Sequence, residues 1–480
     1  MSILGMEDGK DEEFLSLGLA IVAESCSQKR HKRKRRDEAT LVQLDLNESW
    51  EGKIFSLLQM REQMMTKLDH HKRDIITTDQ GADHHNHKDI GGKGLQLIHS
   101  LLISATSVDE NDMDSVAENL YDLYQNISLF GDSLQRVAAY FADGLIARLL
   151  TRKSPFYDMI MKTPTQEEEF LAFTHFYKVS PFYQFAHFTA NQAIMETFEN
   201  EEPNNNRFLH IIDYDICYGF QWPSLIQSLS EIATSTNRTS LKITGYGRSL
   251  EELQETETRL VGFAKGFRSL IFEFQGLLRG SKIGNLKRKK NETVVVNLIC
   301  HLNTLNSVSK IYETLKSVHM INPSIVVMVE KEGCKSPHIF LSRFMESLHY
   351  FAAMFDSLDD CLPVDSDERL NIEKNHLGKE IKCLINYDRD CVNSNTPLRY
   401  ERMETWKARM ESHGFSACKL SSKSLIQAKL LLKIRTQYSP VQFGGGNGGF
   451  RIFENDEGNV ISLGWQDRCL ITASAWHCVQ

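Results

Sequence analysis

Four short apolar runs constrain the fold more than any other feature of this chain. The first is Phe208-Leu209-His210-Ile211-Ile212, ending in Asp213. The others are Leu241-Lys242-Ile243-Thr244-Gly245, Thr293-Val294-Val295-Val296-Asn297-Leu298 and Ser324-Ile325-Val326-Val327-Met328-Val329-Glu330. Each is too short for a helix and rich in β-branched or long aliphatic residues, and helical stretches lie between them. Continuous apolar runs alternating with helices mark strands of a parallel sheet covered on both faces. The pattern predicts a doubly wound α/β core. Farther on, residues 428–436, 450–454 and 460–464 read as antiparallel strands at the edge of that sheet.

The segment before the first run has a different texture. Leu97, Leu101, Leu102 and Ala105 form one stripe at three-four spacing. Val116, Leu120, Leu123 and Ile127 form a second, and Val137, Phe141, Leu145, Ile146 and Leu149 a third. Such stripes predict amphipathic helices packed face to face over residues 95–198. A further helix is expected over 50–68, from Ile54, Leu57, Leu58, Arg61, Met64, Met65 and Leu68. Its apolar side would dock on the main domain or on a partner.

Residues 1–92 otherwise read as a disordered arm. An acidic, apolar start leads into Lys29-Arg30-His31-Lys32-Arg33-Lys34-Arg35-Arg36, where seven of eight residues carry fixed positive charge. So dense a block repels itself and stays solvated. It fits a nuclear import signal and has the charge to touch phosphates. His84-His85-Asn86-His87 lacks the cysteines or second spaced pair that a zinc site needs, so this stretch reads as linker. Residues 93–480 are then one domain: a mainly helical part over 93–200 and an α/β core over 201–480.

Charge and cysteines narrow the function. The net charge is −8, which argues against a broadly basic DNA-binding surface. Ten cysteines are scattered without a CxxC pair, as expected of reduced thiols inside a cell. The acidic N-terminus lacks the basic start of a signal peptide, and no apolar run approaches the ~18–20 residues of a membrane span. A soluble, intracellular chain is the expectation.

Several strings invite an enzymatic reading. Gly131-Asp132-Ser133-Leu134 resembles a hydrolase signature, but no strand precedes it, and a helix-capping role for Asp132 or Ser133 accounts for it better. Gly444 to Gly449 satisfies GxGxxG, yet it leads into Phe450-Arg451-Ile452-Phe453, which alternates like a strand. A hairpin loop fits that context. The end of the first run is more informative, because doubly wound sheets bind ligands beyond the carboxyl ends of their strands. Asp213 and Asp215 stand there, two residues apart. The turn Ile216-Cys217-Tyr218-Gly219-Phe220 has a single glycine, poor material for close approach to a phosphate or an adenosyl group. Capping and bracing the loop is the competing role for these acids. Lys287-Arg288-Lys289-Lys290 is a second basic cluster in an expected surface loop. HExxH, P-loop and kinase signatures are absent.

Longer strings carry a family resemblance. Leu209-His210-Ile211-Ile212-Asp213-Tyr214-Asp215-Ile216, followed by Gly219, Gln221, Trp222 and Pro223, resembles the VHIID motif of the plant GRAS regulators. Phe185 to Ile194 is similar to the segment that precedes it in that family. Arg343-Phe344-Met345-Glu346, Phe355-Asp356-Ser357-Leu358 and Glu368-Arg369-Leu370-Asn371 resemble its PFYRE region. Trp406 with Gly414, then Leu463-Gly464-Trp465 and Ser474-Ala475-Trp476, resemble its SAW region. The resemblance implies a methyltransferase-like, Rossmann-like α/β core with an α-helical cap. It also implies a nuclear transcriptional regulator without known catalysis, which dimerises with other GRAS proteins and joins DNA-binding transcription factors. DELLA-type sequence is absent from residues 1–92, so no hormone-receptor partner is expected. Thr244-Gly245-Tyr246-Gly247-Arg248 and Leu277-Leu278-Arg279-Gly280 look more like the scarecrow-like or nodulation-signalling-pathway branch.

The resulting expectation has three parts. Lys29, Arg30, Lys32, Arg33, Lys34, Arg35 and Arg36 direct import. The helical stripes of 95–198 form the cap and part of a dimer surface. The core presents a groove to a transcription-factor partner, with Asp213, Asp215, Gln221 and Trp222 near its strand ends and Arg343 and Glu346 bracing a helix. Trp465 and Trp476 are expected as core anchors beside Ser474 and Ala475. No cofactor, metal or catalytic residue is expected, DNA is reached indirectly and no membrane is involved. Two rivals stay open: a direct DNA reader using the basic clusters, and a small-molecule-binding or catalytic protein using residues 213–218.

Overall fold

The computed structural model describes residues 50–75, 90–281, 291–305, 307–333, 339–363, 365–390, 400–438 and 449–479. The basic clusters at 29–36 and 287–290, the histidine cluster and most of the glycine loop lie outside them. The chain divides into two compact units, Met1–Ser56 and Leu57–Gln480. Apart from residues 50–56 at the start of the first helix, everything below lies in the second.

Helices come first, as the stripes predict: α1 (Trp50–Ile75), α2 (Ile90–Asp109), α3 (Met113–Asn126), α4 (Ser133–Leu149), α5 (Pro155–Met161), α6 (Gln166–Val179) and α7 (Pro181–Asn200). Asp132 caps α4 by accepting from the Gln135 amide at 2.9 Å, the role expected of that string. A reciprocal capping box between Thr165 and Glu168 starts α6. Within the second unit, Leu57 and Leu58 of α1 are buried, and Arg61 donates to Asp143 of α4 at 2.9 Å.

The core follows: β1 (Phe208–Asp213), α8 (Trp222–Ile232), β2 (Thr239–Gly247), α9 (Leu250–Ala264), β3 (Leu270–Leu278), β4 (Thr293–Ile299), α10 (Val308–Ile321) and β5 (Ile325–Lys331). Next come α11 (Phe340–Asp359), α12 (Asp367–Ile372), a π turn over Glu373–Leu377, α13 (Gly378–Ile385) and α14 (Tyr387–Asp390). The chain ends with α15 (Met403–Ser412), β6 (Phe415–Cys418), α16 (Ser422–Tyr438), β7 (Phe450–Asn455), β8 (Val460–Trp465) and β9 (Arg468–Cys478). The strands form one sheet in the order β3-β2-β1-β4-β5-β9-β8-β7, with β6 also on β9. β1 to β5 are parallel, and β6 to β9 run antiparallel. The result is the Rossmann-like, methyltransferase-like core with a helical cap that the sequence implies.

Three elements depart from the expectation. β3 was not among the runs, because Glu273 and Gln275 interrupt its apolar residues, as suits an outer strand with several exposed side chains. β9, with Ser474, Ala475 and Trp476, pairs with β5 at the centre of the sheet and was also missed. Residues 428–436 are helix, inside α16. Ser421 accepts from the Ser424 amide at 3.1 Å to start it, and its leucines, lysines, alanine and glutamine are strong helix formers. The edge strands expected at 450–454 and 460–464 are β7 and β8.

The stripes of the first helices are consumed inside the cap. Leu97, Leu101, Ala105, Val116, Leu120, Val137, Phe141 and Leu145 are all buried. Their apolar area is therefore unavailable as a dimer surface. Later helices complete the same layer. Phe141 meets Phe344 of α11 edge-on at 5.2 Å. Arg136 of α4, fully buried, donates to Glu373 at 3.0 Å and also pairs with Asp359.

Candidate functional site

β1 ends at Asp213, in register with Gly245 of β2 and Asn297 of β4, and each of those neighbours runs two residues farther. Of the five residues Leu209, His210, Ile211, Ile212 and Asp213, the three aliphatic ones are wholly buried sheet core and His210 hydrogen-bonds Thr244 Oγ1 at 2.9 Å. Only Asp213 reaches the strand end. Its carboxylate accepts from Trp222 Nε1 at 3.2 Å and from Asn297 Nδ2 at 3.1 Å. Gln221 exchanges hydrogen bonds with Asn297 at 3.0 and 3.2 Å and donates to Asn191 of α7 at 3.1 Å. Neutral donors serve a buried acid here, and burial pushes the Asp213 carboxyl up to about 7.

The turn after β1 satisfies its own backbone. The Asp215 amide donates to Asp213 at 3.2 Å, the Cys217 amide to Asp215 at 3.4 Å, the Ile216 amide to Tyr246 O at 2.9 Å and the Gly219 amide to Ile216 O at 2.8 Å. These amides are therefore not held out for a phosphate. Gly219 has φ +74, and a Cβ there would meet Thr256 at 2.9 Å, so its one glycine serves the turn and the contact with α9. Asp215 also pairs with Arg279, beyond β3, at 2.5 Å. Both the bracing role and a position at the strand ends are thus realised for these acids.

Above the strand ends lies a cavity of about 210 Å³. Its floor is the β1 turn with the ends of β4 and β5, and its roof is α6, α7, the π turn, α13 and Tyr400. Phe173, Tyr183, Tyr218 and Phe220 give it aromatic walls. At the rim, Glu169 pairs with Arg248 at 2.7 Å and with Lys379. Burial works against the Glu169 charge, but these two cations hold its carboxyl below the usual range. Deeper in, Lys331 donates to Glu380 at 2.5 Å, Tyr400 donates to the same carboxylate at 2.6 Å, and the ammonium lies 5.4 Å from the Tyr400 ring centre. Glu330, 2% exposed, accepts from the Leu302 amide through Oε1 at 2.6 Å, and burial pushes its carboxyl up to about 8.

Burial sets the protonation of the thiols and imidazoles in this lining. Burial raises the Cys217 and Cys300 thiols far above neutral pH, leaving them protonated. Burial also lowers His187 to about 3 and His376 to about 4, so both are neutral. Among the described residues no group of three or more His, Cys, Asp or Glu is placed to hold a metal ion.

Asp213, Asp215 and Gln221 therefore converge on this site, with Trp222 packed beneath it. Asp213, Gln221 and Trp222 are buried, so a protein partner cannot lie on them as it would on an open groove. Arg343 and Glu346 share α11 but stand elsewhere. Arg343 is buried and bonds Leu384 O at 2.8 Å and Asp388 at 2.5 Å, while Glu346 pairs with Arg402 at 3.1 Å and Arg468 at 3.0 Å. Trp465 donates to Asp356 at 2.7 Å and Trp476 to Ser474 at 2.9 Å, both tryptophans being core. Arg279, Glu330, Lys331, His376, Glu380 and Tyr400 were missed from sequence.

Residues 97–477 match the GRAS domain family. The chain is 35% identical over 399 residues to Protein SCARECROW 1 from Oryza sativa subsp. indica, covering 81% of this chain and 56% of that protein. It is 33% identical over 397 residues to DELLA protein 2 from Medicago truncatula, covering 80% and 68%. The chain thus spans a little over half the length of its scarecrow relatives. A crystal structure of SCL7 in Oryza sativa superposes with a TM-score of 0.63 at 27% identity, over 79% of this chain and 99% of that one. From the order of its strands to its matched residues, this chain belongs to the GRAS domain family.

Proposed function

We propose that the chain is a nuclear regulator of transcription that acts by binding other proteins, among them GRAS proteins in homo- or heterodimers, and reaches DNA through DNA-binding transcription factors. The observation that carries this reading is the match along 97–477 to a family whose members include SCARECROW and DELLA proteins. The net charge of −8 supports indirect contact with DNA. The protonated thiols and neutral imidazoles of the cavity support a role without catalysis. Lys29, Arg30, Lys32, Arg33, Lys34, Arg35 and Arg36 serve as the import signal. Partner contacts fall on exposed faces of the domain, since the residues around Asp213 and Trp222 are enclosed.

The test uses the full chain in plant cells, intact and with those seven residues changed to Gln, reading nuclear accumulation and transcript levels together. The expected result is nuclear accumulation with changed transcripts for the intact chain and loss of both for the variant. A nuclear, intact chain that alters no transcripts contradicts the regulatory reading.

A further inference from the structure

The cavity above the strand ends has an asymmetry in charge. Each cation on its wall already has an acid: Arg279 has Asp215, Arg248 and Lys379 share Glu169, and Lys331 has Glu380. Two acids remain without a cationic partner of their own. Asp213 is served by Trp222, Asn297 and backbone. Glu330 receives the Leu302 amide on Oε1 and has its charge eased by the Asn303 amide as well, while its Oε2 is buried without a hydrogen-bond partner among the described residues. Lys331, next in the chain, eases the Glu330 charge only in part, because its ammonium is bonded to Glu380. With no donor on Oε2 and burial opposing its charge, the Glu330 carboxyl keeps its proton until a cation arrives to replace it.

The surroundings say what kind of donor fits. An anion entering the cavity would meet Glu330 and Asp213. Four of the turn amides, those of Asp215, Ile216, Cys217 and Gly219, are already bonded within the fold. The walls nearest the entrance are aromatic, with Phe173 5.2 Å from Tyr218 and 5.3 Å from Phe220 between ring centres. A volume of about 210 Å³ holds a ligand of roughly eight or nine heavy atoms, judged against the ~150 Å³ apolar cavities that take up benzene. The place itself, outside the carboxyl ends of parallel strands at the β1–β4 switch point, is where doubly wound sheets take ligands.

We propose that this cavity binds a small organic amine with an aromatic or apolar body, its ammonium donating to Glu330 Oε2 and its body lying against Phe173, Tyr218 and Phe220. The rim pair between Glu169 and Arg248 then stands over the entrance, and the bound ammonium takes the place of the proton that Glu330 otherwise holds. This inference is independent of how the protein acts on transcription.

The test is calorimetric titration and thermal unfolding of the full chain with three probes of one shape: phenethylamine, 2-phenylethanol and 3-phenylpropionate. Phenethylamine is expected to bind and raise the unfolding temperature, with the alcohol weaker and the acid inert. Glu330→Gln is expected to weaken phenethylamine by roughly ten- to hundredfold, the range for a hydrogen bond to a charged group. A measurement on the unaltered chain guards against a variant that misfolds. Phenethylamine binding to the unaltered chain should displace the Glu330 proton and so tighten as pH rises from about 6 to about 8.5. Absence of binding by all three probes, in a cavity filled by water only, overturns the proposal. So does equal binding of the acid, equal affinity in Glu330→Gln, or binding to the unaltered chain that does not tighten as pH rises.

Discussion

Glu330 shows how burial writes itself into solution behaviour. Its carboxyl titrates at about 8 in the fold, against 4.5 for an ordinary glutamate, because desolvation disfavours the charged form. Between those values the folded chain keeps a proton that the unfolded chain has released. The stability that goes with this proton is fully present below pH 4.5 and is lost as pH rises through 8. Glu330→Gln cannot lose it. Between pH 6 and 8 the difference in unfolding free energy should therefore move in favour of the variant by about 2 kcal/mol, read from urea midpoints. Parallel curves for the two chains would show that Glu330 is not held protonated. Sequence alone marked one side of this site. Asp213, Asp215 and Gln221 follow a strand that reads as a strand, so a ligand rule points to them. Glu330 ends another such run but looked like its closing residue, and His376, Glu380 and Tyr400 come from segments far along the chain. Only the folded path brings those together, and no spacing records it.

At the scale of elements, continuous apolar runs found strands buried on both faces, and three-four stripes found the cap. What they missed follows from the same physics. β3 alternates because much of one face is exposed, and β9 mixes small and polar residues where it crosses the centre of the sheet. α16 buries so little that its apolar residues keep no single helical stripe, which let part of it pass for a strand. Helix contact in the cap depends on one missing side chain. A Cβ on Gly144 of α4 would stand 2.5 Å from Ile385 Cδ1 at the end of α13, and Asn386 donates to Gly144 O at 3.1 Å. Gly144→Val should force these helices apart and cost roughly 1–3 kcal/mol, measured by chemical unfolding. A variant as stable as the parent would mean that the contact yields without strain.

The whole domain is a sheet with its ligand-side edge roofed by helices from two separated stretches, α2–α7 and α11–α13. That roof turns the usual binding crevice of a doubly wound sheet into a partly covered cavity, with Asp213, Gln221 and Trp222 buried beneath it. The apolar stripes of the cap are spent on its own interior. On the reading proposed above, partner contacts fall on the exposed surface and need not involve the cavity. The central claim is that this acidic chain reaches DNA through other proteins. Its most direct test is retention of the purified full chain on promoter DNA at near-physiological salt, alone and with a DNA-binding transcription factor that associates with it. The account predicts retention only with the partner present. Sequence-selective binding by the chain alone, weakening steeply with salt and lost when residues 29–36 and 287–290 are neutralised, would contradict it.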